Sequence, residues 1–268
     1  YYWRRLIRLE PPYLLILTLL FLAHIFLVQK FTFRELWPHY IASFFYQHNL
    51  VYHEFSWVMP VAWTLEIEVQ FYILAPLFCC IFLIHARSIR LFMYGIIILL
   101  DFYLCNLHVL GYRNIFSNLY FFWGGILLAD LYVDNRRLIK NENAGLAIGM
   151  AALIGFLFMT PQYTGLPFLL KYLFLLLVFH ITLTNKFFKS FFSGKMITII
   201  GGMCYSLYLT HFAVISAVGG VIKKSGIDYQ KPLYLVPIYL LFICLILVVT
   251  AVFFISVEKP FMRYRLKK

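Results

Sequence analysis

The chain reads as long apolar runs broken by short polar ones. Eight runs fall within the roughly 17–25 residues that a membrane helix needs, over about residues 12–29, 60–84, 91–109, 115–133, 144–160, 167–184, 200–221 and 232–256. They predict helices, because an open sheet edge does not survive in lipid and the runs are longer than barrel strands require. The fold class expected is all-α: a polytopic transmembrane helical bundle, with residues 1–268 forming a single membrane domain. No internal repeat and no low-complexity linker interrupts it.

Composition agrees. Only 13% of residues are charged and 63% are hydrophobic, against about 25% charged in soluble domains, so polar surface for a soluble domain of this length is lacking. The formal net charge is +12. In a soluble protein that would point to nucleic acid. Here the basic residues form short clusters between apolar runs, so no nucleic-acid partner is expected, and membrane lipids or the phosphates of a cofactor are.

The clusters also predict orientation. With Arg4, Arg5 and Arg8 in the cytoplasm, the alternating segments place Arg87, Arg90, Arg136, Arg137, Lys140, Lys186, Lys189, Lys195, Lys259, Arg263, Arg265, Lys267 and Lys268 on the same side. Lys30, Arg34, Arg113, Lys223, Lys224 and Lys231 lie outside. Sixteen against six follows the positive-inside rule and puts both ends of the chain in the cytoplasm. The longest outer segment, about 30–59, holds His39, His48 and His53. The five Cys residues match no metal site and read as small buried hydrophobes. No metal is expected.

Ionisable groups inside such runs are costly and usually face the protein interior. Glu66 and Glu68 lie two apart in "VAWTLEIEVQFYILAPL", about 200° around a helix, so they cannot share one site in a regular helix. Glu68 and Tyr72 share one face; Trp63, Glu66 and Gln70 form another series. Glu68 is nearer the middle of its run and suits proton transfer. Asp101, His180 and Asp130 read as structural groups held by neighbouring helices. In "RRLIRLEPPYLL", Arg5 and Arg8 are three apart and project together: either an ordinary membrane anchor or a phosphate clamp. Pro11 and Pro12 are expected to shape the start of the following helix. In "GGMCYSLYLTHFAV", Tyr205, Tyr208 and His211 form a polar stripe with Ser206 beside it. In "VEKPFMRYRLKK", Glu258 and Lys259 close the last span, Pro260 stops the helix, and the basic tail meets the anionic leaflet.

These four pieces, in this order, resemble the acyltransferase-3 family of integral membrane acyltransferases. The family pattern W-[ST]-L-x-[VI]-E-x-Q-F-Y-x-L-x-P is similar to Trp63, Thr64, Leu65, Ile67, Glu68, Gln70, Phe71, Tyr72, Leu74 and Pro76. Arg4, Arg5, Arg8, Leu9, Pro11 and Tyr13 resemble its arginine motif. Gly201, Cys204, Tyr205, Ser206, Leu207, Tyr208, Leu209 and His211 resemble its Tyr–His motif, and Glu258, Lys259 and Pro260 its E-[KR]-P terminus. Family members usually have ten core spans. Two precede the Arg pair, and the first carries R-x10-H, whose His is regarded as the base. The resemblance therefore implies an N-terminally incomplete fragment, eight spans of ten, rather than a truncated inactive form.

The resemblance implies an O-acyltransferase in a bacterial cytoplasmic membrane. Its donor would be a cytoplasmic acyl-CoA, usually acetyl-CoA, and its acceptor a hydroxyl of a carbohydrate or lipid-linked glycan. Arg5 and Arg8 would bind the CoA phosphates. Glu68, Tyr208 and His211 would be catalytic. Trp63, Gln70, Tyr72, Tyr205 and Ser206 would line a shared cavity, where tyrosine hydroxyls could stabilise the oxyanion. Two other readings stay open: a transporter or flippase, and a non-catalytic component of a glycan assembly complex.

Overall fold

The computed structural model describes residues 2–107, 114–134, 138–160, 165–225 and 232–263, with the side chains of Arg4, Pro232, Leu233 and Arg263 left out of the description. Arg113, Arg136, Arg137, Lys231, Arg265, Lys267 and Lys268 of the charge pattern lie outside the described residues. In chain order the helices are α1 (Tyr2–Ala23), α2 (Phe33–Phe44), α3 (His48–Tyr52), α4 (Trp63–Phe78), α5 (Arg87–Asn106), α6 (Leu119–Val133), α7 (Glu142–Phe158), α8 (Gly165–Thr184), α9 (Lys186–Phe192), α10 (Lys195–Gly202), α11 (Cys204–Lys224), α12 (Pro232–Phe253) and α13 (Lys259–Arg263). A π turn, His24–Val28, ends α1, and a second, Phe254–Glu258, joins α12 to α13 without a break. Short 3-10 turns, Pro60–Ala62 and Cys79–Leu83, flank α4. No strand occurs among the described residues.

Every predicted run holds a helix; residues 108 and 109 of the third run lie outside the described residues, and the seventh is broken at Met203 between α10 and α11. Among the described residues six segments have the length and apolarity to cross a membrane: Arg5–Val28, Pro60–Leu83, Arg87–Asn106, Gly165–Thr184, Cys204–Lys224 and Tyr234–Met262. α6 and α7 have only 15 and 17 residues, about 22 and 26 Å at the usual rise, which falls short of the roughly 30 Å of a hydrocarbon core.

Three expectations are corrected. Pro11 and Pro12 sit inside α1, which already begins at Tyr2, so Arg5 and Arg8 belong to the same continuous helix. Pro260 does not stop the last helix: α13 runs on through it directly from the second π turn. The cysteines are not buried: Cys79, Cys80, Cys204 and Cys244 are exposed, Cys105 is intermediate, and all are free.

Contacts cluster into two compact units. In the first, Tyr1–Trp63 with Ile199–Lys268, α1 packs on α2, on α11 and on the second π turn, and α11 packs on α12. Tyr13 and Leu17 of α1 and Leu209 of α11 are fully buried. Thr210 and Thr250 share a buried hydrogen bond of 2.9 Å between α11 and α12, a polar tie that lipid does not compete with. In the segment 30–59, a capping box starts α2: Thr32 Oγ1 accepts from Glu35 N, and Glu35 Oε2 accepts from Thr32 N at 2.9 Å. There His39 and His48 are buried, with ring nitrogens 2.8 Å apart. The His39 ring is stacked against Trp57 at 3.9 Å and against Tyr52 at 4.3 Å.

The second unit is Thr64–Thr198. Its polar groups support helix ends and crossings. Asp101 Oδ2 on α5 accepts from Tyr120 N at 2.7 Å, capping α6 from a neighbouring helix. Arg90 forks onto Asp130, Nε to Oδ2 at 3.0 Å and Nη2 to Oδ1 at 2.9 Å. His180 Nε2 accepts from Leu138 N at 3.2 Å. The structural reading of all three residues therefore has its partners. Glycines let α7 approach its neighbours: a Cβ on Gly149 would meet Phe188 at 2.8 Å and Ile181 at 2.9 Å, and one on Gly155 would meet Phe174 at 2.6 Å.

Candidate active site

The arginine motif lies in the first turns of α1. Arg8 Nη2 stands 3.7 Å from Glu258 Oε1, an ion-pair distance too long for a hydrogen bond. Glu258 is fully buried at the end of the second π turn. Its Oε2 accepts from Ser206 N at 3.1 Å and from Ser206 Oγ at 2.6 Å. Ser206 is in the first turn of α11, so the carboxylate caps a helix N-terminus, where the dipole favours negative charge. Beside it, Tyr205 donates from its hydroxyl to Leu9 O at 2.8 Å. Three motifs separated in sequence thus meet in one unit. Arg5 is partly exposed on the same helix.

The stripe on α11 is helical as predicted. Tyr208 donates from its hydroxyl to Val61 O, in the turn before α4. His211 Nδ1 lies 2.7 Å from Tyr208 O and 3.1 Å from Leu207 O. Both partners are carbonyls and only accept, so Nδ1 carries a ring proton, and in the neutral tautomer that this fixes Nε2 is the nitrogen with the lone pair. Tautomer and ring orientation are set by the helix's own backbone.

On α4 the two acids separate as their spacing requires. Glu66 is fully buried, whereas Glu68 is partly exposed and accepts from the Tyr72 hydroxyl one turn on. Gln70 Oε1 accepts from Ile115 N at 3.1 Å, which ties the approach to α6. Trp63 is partly exposed and Ser206 fully buried.

One chemical expectation changes. Tyr72, Tyr205 and Tyr208 each give their hydroxyl proton to a protein oxygen, so donation to an oxyanion would require breaking those bonds. The residue that sequence reasoning undervalued is Glu258, read there as a span-closing anchor. Its available signal was an acid at the end of a long apolar run, a position that needs a partner. Among the described residues no group of three or more His, Cys, Asp or Glu is placed to hold a metal ion.

Six membrane-length helical segments among the described residues define a multi-pass membrane protein. The acyltransferase-3 profile, described as an acyltransferase domain, matches residues 1–257, and the chain belongs to that family. Provisionally named O-acetyltransferases of Staphylococcus aureus strains COL, MSSA476 and MRSA252 are each 26% identical over 298 residues, covering 99% of this chain and 48% of theirs. The chain therefore spans about half the length of these relatives. No solved structure matches it significantly.

Proposed function

We propose that the chain is the membrane part of an O-acyltransferase that moves an acyl group, acetyl by analogy with the named relatives, from a cytoplasmic acyl-CoA to a hydroxyl of a carbohydrate or glycan. The observation that carries this reading is the family match over nearly the whole chain. The residues support it chemically. A base takes the acceptor hydroxyl proton, the oxygen attacks the thioester carbonyl carbon, and the C–S bond breaks to release CoA thiolate, which is then protonated. His211 offers Nε2 as a proton acceptor of fixed tautomer. Glu68, held by Tyr72, supplies a carboxylate in a membrane-length helix. Arg5 and Arg8 bind donor phosphates, for which guanidinium forks are suited. The setting is a bacterial cytoplasmic membrane, with eight crossings and both chain ends inside.

The test uses membranes carrying the full-length protein and acyl-CoA labelled in the acyl group. Glu68→Gln and His211→Gln should each lower transfer by about 10²-fold or more, with the protein still in the membrane. Wild-type rates in both would overturn the residue roles. Glycan movement with no labelled product would replace the enzyme by a flippase.

A further inference from the structure

A carboxylate with no exposure to water is costly unless it is bonded and balanced. Glu258 is such a group. Ser206 satisfies Oε2 with two hydrogen bonds. Oε1 accepts no hydrogen bond among the described residues and faces Arg8 at 3.7 Å. Arg8 Nε is buried and likewise has no hydrogen-bond partner among them. The guanidinium is thus the counter-charge for the carboxylate that starts α11. That helix carries Tyr208 and His211 one and two turns further on.

We propose that Arg8 is a positioning residue: by balancing buried Glu258 it seats the N-terminus of α11, and with it Tyr208 and His211, in addition to any hold on the donor. The kinetic part of this inference rests on the acyltransferase reading. The seating part does not. The Tyr205–Leu9 bond joins the same two helices alongside, so the register of α1 on α11 is fixed at two adjacent points.

A double-mutant cycle in the full-length protein tests it, reading Tm, kcat at saturating donor and KM for acetyl-CoA. Arg8→Ala strands the buried charge and should lower Tm by several degrees and kcat by about tenfold. Glu258→Gln keeps an acceptor oxygen for Ser206 and should stay within about threefold of wild type in kcat. The double variant should recover both Tm and kcat to near the Glu258→Gln values. A double variant no better than Arg8→Ala, or one that recovers Tm without kcat, overturns the proposal. If Arg8→Ala does not accumulate in the membrane, recovery of accumulation in the double variant carries the same reading. KM decides the donor role separately: raised in both Arg8→Ala variants, it supports the phosphate clamp; unchanged, it removes the clamp and leaves the seating. Absence of transfer by the wild type would sink the acyltransferase reading, while Tm would still judge the pair.

Discussion

At the scale of single residues, polar groups in this chain are organised by backbone carbonyls and helix ends. His211 is oriented by two carbonyls of its own helix, and Tyr205 and Tyr208 by carbonyls of other segments. The His39–His48 pair is different, because it lies outside the membrane-length segments. Burial, then the neighbouring charge of His39, pushes the His48 imidazole down to about 4. Burial also lowers His39, against an opposing pull from Glu54. An unfolded His titrates near 6.5, so between about 6.5 and 4 the unfolded segment binds more protons than the folded one. The pair's contribution is complete above that window and is lost as pH falls through it. Amide exchange over residues 33–52, corrected for its intrinsic rate, should be faster at pH 5 than at pH 7.5. His48→Gln should flatten that dependence.

At the scale of elements, hydropathy made the eight helices legible, because apolar length and the demand for internal backbone bonding leave few alternatives. Their ends were harder to read. Nothing local in Asp101 says that it will cap α6 across a gap of 19 residues. The i, i+4 spacing of Glu68 and Tyr72 did foretell their bond, since that depends on helical geometry alone. The side chains that fill the space at Gly145 and Gly149 on α7 come from elsewhere in the chain, Asn185 at the first and Phe188 and Ile181 at the second, so local sequence does not name them. Gly149→Ala would drive a methyl into Phe188 and Ile181 and should cost about 1–3 kcal/mol in thermal unfolding. Gly95→Ala, with nothing within 4 Å of its new Cβ, should be neutral or slightly stabilising.

For the whole molecule, charge asymmetry and run length give a topology, and α6 and α7 are where that topology is most exposed to test. Short helices cross when the bilayer thins or flanking residues reach to the interface, at modest cost per ångström. With eight crossings, Asn141 and Thr160 lie on opposite faces of the membrane. Single cysteines at these two positions, in a background without the five native ones, should therefore react with an impermeant thiol reagent from opposite sides. Labelling from the same side would remove the α7 crossing; six crossings, with both chain ends on one side, would need α6 to stay out as well. What was legible of the candidate residues was motif and helical face: the arginine pair and the stripe in one unit, Glu68 in the other. The Arg8–Glu258–Ser206 link was not, because it joins residues from the two extremes of the sequence.

The five-residue π turn before Lys259 has a bearing on how this chain is drawn and altered. Each extra residue threaded into a helix rotates the remainder of that helix by about 100°. A wheel plotted at constant period through the last apolar run would aim Glu258 at the wrong neighbour. Chimeras or alignments that close this bulge, even with every side chain conserved, would turn the acid away from the serine it holds.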